Sequence, residues 1–480
     1  MPSHRFIQTT LFRGLLPVIG AVLILITTGN PSGWGQEQTI LDRELRFEDE
    51  RVIEILEDTE WRIPPAVPGI QYDWGGWLST NFYRFDEFDR TAAQADSIEG
   101  AFTWDLRFWT KVFFMERHSF YFRFKNQFAS TDWGGGFSGR EKTDNDGPHV
   151  DLAYFSFNFP RELSAKIGRQ YFRLGRGLVL SNVLDGLKIN KRFKKTAVKT
   201  YLAITRPHEN NFDTSIPGWD LSSRRLFAAL CGEYRMTSGR RFYGYFLLEE
   251  DRSEEVPDDP NQTYDYDASY LGFGADGHVS RTFTYWSEAV FQRGESPVSV
   301  SNSTVKVRAA AFALGAMWVP EVKLHPTLSL EMYSGSGDYE RGHVTNSIGG
   351  KTTNSTDKGF LHFSTPSLGL AFTPRLANLR VLKAAFSFKP FERNQAANDL
   401  MVSVIGSRFR KRKHQGAISD LMASEGSKDV GNEFDLYLTW KALSDISTSL
   451  SWGRFTPGSA YPTTSRNKTT YLNLSLSYSF

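Results

Sequence analysis

One cysteine, Cys231, stands in a chain of 480 residues. A lone thiol cannot form an internal disulfide, and with no CxxC pair or Cys/His spacing to join it cannot build a metal site, so disulfide scaffolds and zinc modules are excluded. Cys231 reads as a small apolar strand residue. Long apolar runs are equally scarce. The longest lies between Leu15 and Ile26, short of the roughly 20 residues that a spanning helix needs. The nine histidines have no HExxH, GxSxG or paired acid around them, which leaves no motif for hydrolytic catalysis and implies no enzyme and no cofactor.

The early apolar run follows His4, Arg5 and Arg13 and gives way to Gly33, Trp34 and Gly35. A basic start, a short apolar stretch and small residues make residues 1–35 a cleaved export signal. Residues 36–70 form a second unit. From Glu37 to Glu60 they are acidic, with scattered Ile40, Leu45, Val52 and Ile55, and then broken by Pro64, Pro65 and Pro68. That composition suits a periplasmic tail or short plug helix, with a gate as the alternative.

The rest, 71–480, is patterned with a period of two. Its clearest stretch is the last, where Leu472, Leu474, Leu476, Tyr478 and Phe480 alternate with Tyr471, Asn473, Ser475, Ser477 and Ser479. Alternation puts the two sets on opposite faces of one strand, one face fit for lipid and the other for water. Similar segments are read near 72–85, 101–114, 119–129, 149–159, 163–172 and 183–190. They continue near 196–205, 224–235, 240–249, 267–278, 281–292 and 307–318. The last six are near 324–334, 364–374, 380–391, 431–442, 446–455 and 468–480, eighteen in all. Short links such as 115–118, 160–162 and 443–445 alternate with long polar ones at 86–100, 130–148, 250–266, 335–362 and 392–430. Short turns on one rim and long loops on the other predict an all-β, antiparallel outer-membrane barrel with both termini on the periplasmic side.

A barrel of that size leaves a water-filled lumen, so transport is the expected function. Parity assigns the lumen side chains. Opposite Phe102, Trp104, Leu106 and Phe108 stand Asp105, Arg107 and Lys111, and the next strand adds Arg123 and Lys125. Lys199, Lys383, Lys389 and Lys441 fall on the same parity, against Glu331, Glu433 and Asp435, so cations outnumber anions by eight to four. A basic lining concentrates anions; charges held in structural pairs across the lumen are the competing reading.

Three patches carry a family resemblance. Residues 165–177 (AKIGRQYFRLGRG) with 184–187 (LDGL), residues 328–338 (LSLEMYSGSGD), and the stretch from 431 (GNEFDL) through 455–458 (FTPG) to Phe480 resemble, in order, segments of the alginate-export outer-membrane porins. The resemblance covers nearly the whole mature chain. It implies an eighteen-stranded monomeric barrel with an arginine-rich constriction that passes an acidic uronate polymer outward, assisted by a periplasmic scaffold. By position it implies Arg169 and Arg173 as constriction cations, with a rim or interfacial contact as the alternative for Arg169, which shares a parity with Ile167 and Tyr171. A general or other anion-selective porin for small-solute uptake is the second expectation, and a surface adhesin or structural barrel the third.

Some features point elsewhere only superficially. Gly272 to Gly277 matches GxGxxG, but strand-like residues follow it where a phosphate-binding helix should start, and Asp276 with Gly277 suggests a hairpin turn. The basic run Arg408 to His414 falls in the longest expected loop, where lipopolysaccharide phosphates or an acidic polysaccharide are its natural partners rather than nucleic acid, with a merely solvated loop charge as an equal alternative. Trp74, Trp104, Trp286, Trp318, Trp440 and Trp452 fit interfacial girdles, leaving Trp77 and Trp109 as lumen aromatics.

Overall fold

The computed structural model describes residues 69–480 except 88–89, 91–99, 116, 133–141, 207–223, 237–238, 253–265, 299–300, 343–350, 365 and 395–396. The export signal and nearly all of the acidic segment lie outside the described residues. The strands are β1 (Gln71–Asp86), β2 (Gly100–Phe114), β3 (His118–Asp132), β4 (Lys142–Phe159), β5 (Leu163–Arg173) and β6 (Ser181–Arg192). Next come β7 (Thr196–Ile204), β8 (Arg225–Arg235), β9 (Arg241–Asp251), β10 (Asp267–His278), β11 (Phe283–Val298) and β12 (Ser301–Trp318). The circuit ends with β13 (Thr327–Gly335), β14 (Leu379–Phe388), β15 (Met401–Lys411), β16 (Asp429–Lys441), β17 (Ile446–Pro457) and β18 (Thr469–Ser479).

Each strand pairs antiparallel with its neighbour in sequence, and β1 pairs with β18 from Trp77 opposite Ser479 to Asp86 opposite Thr470. The eighteen strands therefore form a closed barrel with no free edge. Closure satisfies the wall's backbone groups, which hydrocarbon demands. On β18, Leu474, Leu476 and Tyr478 are exposed on the outer surface, while Tyr471, Asn473 and Ser475 are buried inside. No described helix is long and apolar enough to cross a membrane.

The expected strand number is met through two compensating errors. Residues 364–374 form no strand. They belong to the connection between β13 and β14, whose described residues from Phe360 onward lie inside the barrel, with Phe360 and Phe363 against Tyr270 of β10 and Leu370 to Phe372 against Glu433 of β16. Leu368, Leu370 and Phe372 alternate there because one side of the segment packs on the inner wall, with Phe372 stacked on Phe455 at 4.4 Å and edge-on to Phe409 at 4.9 Å. Conversely, β15 lies in the expected loop 392–430. Its polarity is inverted near the top, since Arg408 and Arg410 point outward while Phe409 is buried inward, and this hides the lipid-face signature. The Asp276 and Gly277 pair is a correction as well: both lie within β10, and the turn follows at 279–282.

A second inward element comes from the opposite wall. Pairing of β4 with β5 stops at Ala153 opposite Arg169, and pairing of β6 with β7 stops at Asp185 opposite Ile204, yet β5 and β6 stay paired up to Arg173 and Ser181. The tip of this hairpin has left the wall and bent into the lumen. Gly168 and Gly186, directly opposite each other, are the hinge. A Cβ on Gly186 would sit 2.2 Å from the Leu202 carbonyl oxygen, one on Gly168 would sit 2.3 Å from that of Ala153, and Gly168 has φ +123°. Only glycine lets the hairpin pass so close.

The two inward elements meet. The Phe363 amide donates to Val179 O at 2.6 Å, the Ser181 amide donates to Phe363 O at 3.3 Å, and Ser364 Oγ donates to Leu178 O at 3.0 Å. Together they make a septum across the lumen.

Replacing Gly186 with valine should destabilise the barrel by about 1–3 kcal/mol, as overpacking does. Gly232→Ala, where a Cβ meets nothing within 4 Å, should be close to neutral. Urea unfolding in lipid vesicles checks both, and equal midpoints would remove the hinge argument.

Candidate functional site

Below the septum lies a cavity of about 460 Å³ whose charged lining is Arg173, Arg176, Lys383, Glu288 and Glu331. Arg173 sits at the end of β5, and the turn after it places Arg176 beside β11. The parity of Arg173 relative to Ile167 would aim it at lipid on a regular strand; because the hairpin bends inward, that outer face becomes the face toward the lumen. The Arg176 guanidinium stacks on Trp286 at 4.5 Å, and its backbone amide donates to Glu288 at 2.6 Å. Arg173 Nη2 donates to the Arg176 carbonyl at 2.9 Å. Lys383 reaches the Ser367 carbonyl of the inner segment at 2.8 Å.

Glycines seat the aromatic floor. Tyr245 lies opposite Gly272 and Tyr243 opposite Gly274 on β10, where a Cβ would fall 2.1 Å from either ring. Trp286 lies over Gly315 in the same way, at 2.3 Å. Laid flat, the two tyrosines direct their hydroxyls at Glu288, at 2.8 and 2.7 Å. With the Arg176 amide, both carboxylate oxygens of Glu288 are thereby occupied. Glu331 accepts from Tyr333 at 3.2 Å. The glycines that imitate a dinucleotide motif therefore serve cross-strand packing.

The other sequence-derived cations lie elsewhere. Arg107, Arg123 and Lys125 are buried in one network in the wall. Arg107 donates to Asp105 at 2.6 and 2.9 Å, Arg123 donates to Asp151 at 2.6 Å, and Lys125 lies 3.9 Å from Asp105. Asp151 is the extra residue of a bulge in β4, since Arg123 faces Leu152 while Phe124 faces Val150. Trp77 packs under both arginines at 5.6 and 5.3 Å. Breaking such a buried set exposes an uncompensated charge, at a cost of about 3–5 kcal/mol, so these residues hold the wall. Lys199 is likewise buried against Glu233.

Lys111 is half-buried on β2, 5.1 Å from the Phe113 ring. Lys389 follows the end of β14 and pairs with Asp399 at 3.2 Å, and Lys441 ends β16; both lie at the short-turn rim. Arg169 makes a two-pronged bond with Asp185 at 2.8 and 3.0 Å, on the face that carries Ile167 and Leu187, at the base of the bent tip. The register there is continuous, so a hinge re-aims the tip, with no bulge. Only Arg173 and Lys383 of the expected cations reach the cavity, where Arg176 joins them. Alternation could not find Arg176, which lies in a turn, and it put Trp286 on the wrong face.

Of the acids Glu433 and Asp435, the first has a structural task. Glu433 accepts the backbone amides of Leu370, Ala371 and Phe372, the latter two at 2.9 Å. One carboxylate thus pins the inner segment to β16. Farther out, Lys351, fully buried, holds Asp338 at 2.7 Å and Glu340 at 3.0 Å. Burial raises the Asp338 carboxyl, but Lys351 and the Glu340 and Lys358 amides outweigh it, leaving it below the usual range. Hydrogen bonds from Ser355, Thr353 and Lys351 lower Glu340 to about 2.

A family model described as alginate export matches residues 74–475. Among solved structures, Pseudomonas aeruginosa OccK11 (OpdR) superposes with a TM-score of 0.53 at 11% identity, over 88% of this chain and 98% of that one. OccK8 (OprE) of the same organism gives 0.52 at 10%, over 87% and 99%. OpdK with vanillate, also from that organism, gives 0.51 at 13%, over 85% and 98%. At these identities the likeness is one of fold. No curated protein matches the chain.

Glu433→Gln puts an NH2 against amide donors, losing roughly 1–3 kcal/mol of anchoring, and should raise single-channel conductance in planar bilayers; an unchanged conductance would separate the pin from the constriction. The depressed Asp338 and Glu340 carboxyls should anchor their segment fully above their ordinary values of 3.8 and 4.5. That contribution is lost as pH falls toward about 2. Hydrogen exchange at 351–358, corrected for intrinsic rate, should show this loss of protection, and Lys351→Met should flatten it.

Proposed function

This chain belongs to the alginate export family, and on that premise we propose that it conducts an acidic, alginate-like polysaccharide outward, its cavity cations drawing the polymer's carboxylates through. Family and fold are those of passive channels of the Gram-negative outer membrane. The observation that supports the finer reading is the cavity's charged lining, three cations against the two acids Glu288 and Glu331. Arg173, Arg176 and Lys383 line it, while Glu288 is engaged by two tyrosine hydroxyls and an amide.

Arginine suits the task. Its planar fork can hold a carboxylate through two bonds and stays charged at any relevant pH. Stacking on Trp286 fixes the Arg176 plane, and the aromatic floor offers a sugar ring an apolar face. Conduction requires each site to be shallow, so that a polymer slides from one to the next. Export of a polymer also calls for a periplasmic scaffold to deliver it, with the barrel working as a monomer.

Uptake of small carboxylates is the second reading. A cavity of about 460 Å³ is of small-molecule size, and the OpdK structure in the comparison contains vanillate.

Reversal potentials in a salt gradient should show anion selectivity, and oligouronates should block the current with an affinity that rises with length. Arg173→Gln with Arg176→Gln should weaken block roughly tenfold or more, the scale of a lost charge-assisted bond. Cation selectivity would end the anion reading. Equal block by a monouronate and a long oligomer would favour small-solute uptake.

A further inference from the structure

The outer surface of the barrel carries cations where lipid-facing residues are expected. On β11 and β12, Arg293 and Arg308 are exposed and directly opposite each other; on β14 and β15, Arg380 and Arg410 are too. Like charges directly opposite on paired strands are destabilising unless something lies between or over them. Among the described residues, none of these four arginines makes an ion pair. Arg408 adds a fifth outward cation, with Asp429 no nearer than 3.9 Å.

The cluster surrounds a notch. β13 ends at Gly335, opposite Ala311, whereas its neighbour β12 runs ten residues further, from Ala311 to Ser301. Above the end of β13 lies a groove of about 960 Å³, whose cations are Arg293, Arg308, Lys358, Arg412 and Lys413. Its lower wall is apolar: Phe246, Leu271 and Phe291 are 42, 43 and 57% exposed on the lipid-facing surface. Strand direction puts the groove at the long-loop rim, which in such barrels is extracellular.

We propose that this groove is a binding site for a phosphorylated glycolipid of the outer leaflet, of lipid A type. Its phosphates would sit among Arg293, Arg308, Arg412 and Lys413, and an acyl chain would run down over Phe291, Leu271 and Phe246. Bound phosphate resolves the repulsion between the opposed arginines, and planar guanidinium forks match its geometry. The chemistry is separate from the lumen: these side chains lie on the outside of the wall, so the site does not depend on what the channel carries.

The test uses the full chain in detergent, titrated with bis-phosphorylated lipid A and with the same lipid stripped of phosphate, read by native mass spectrometry. Lipid A should bind, and the stripped lipid should bind at least about tenfold more weakly, given roughly a factor of five per neutralised cation. Arg293→Gln with Arg308→Gln should lose a similar factor, and so should Arg412→Gln with Lys413→Gln. Arg84→Gln with Arg454→Gln, exposed on β1 and β17, should bind like the parent. Heat-modified gel mobility shows that each variant is folded, and single-channel conductance should stay at the parent value in all of them. Equal binding of the stripped lipid, or equal loss in the Arg84 and Arg454 variant, would overturn the site. Displacement by inorganic phosphate at the lipid's own concentration would overturn it as a lipid site.

Discussion

A backbone amide in hydrocarbon must find a partner within the protein, and the barrel meets that demand by joining its first strand to its last. The same demand follows the chain wherever it leaves the wall. Where the β5 and β6 tip turns inward and β13 stops early, the freed groups are taken up inside: Phe363 by Val179, Ser181 by Phe363, and Leu370 to Phe372 by a single carboxylate. The inner segment also borrows the edge of β12, through Arg308 N to Asp357 O at 2.8 Å and Asp357 N to Lys306 O at 2.9 Å. The constriction is thus a continuation of the wall's own hydrogen bonding.

Charge obeys a related economy. Two populations of cations share the interior. One is buried against acids on the same or the adjacent strand, as with Arg107, Arg123 and Lys199, and holds the cylinder together. The other stands at the cavity, on the bent tip and on β14, and is the population a passing solute would meet. Parity does not distinguish Lys199 from Lys383; what differs is that Lys199 is buried in an ion pair with Glu233, whereas Lys383 reaches a backbone carbonyl and lines the cavity. A third population points outward above the apolar band, where the membrane's own phosphates lie.

Architecture was legible because a barrel wall is repetitive. Period-two alternation in β2, β10 and β18 reports a surface with lipid on one side and water on the other, and such segments were placed to within a few residues. The pattern misleads wherever that premise fails. Residues 364–374 alternate because they too have a wall on one side, although the wall is the inside of their own barrel. β15 was hidden because its outward face meets phosphate-rich depth and carries arginine there. For the site, Arg173 came from family resemblance and Lys383 from parity; Arg176 and Trp286 depended on the hinge at Gly168 and Gly186, a three-dimensional event with no periodic trace.

The septum has a consequence for the order of assembly. β5 and β14 stand nine places apart around a ring of eighteen, and the segments that leave the wall beside them meet at Val179 and Phe363, the latter packed on β8 and β10. Two segments that distant in sequence meet only once the strands between them, β6 to β13, have paired and curled, because the contact closes a loop over that span. The narrowing of the tube is therefore a long-range contact, made by the curvature of half the ring and absent from any smaller piece of it.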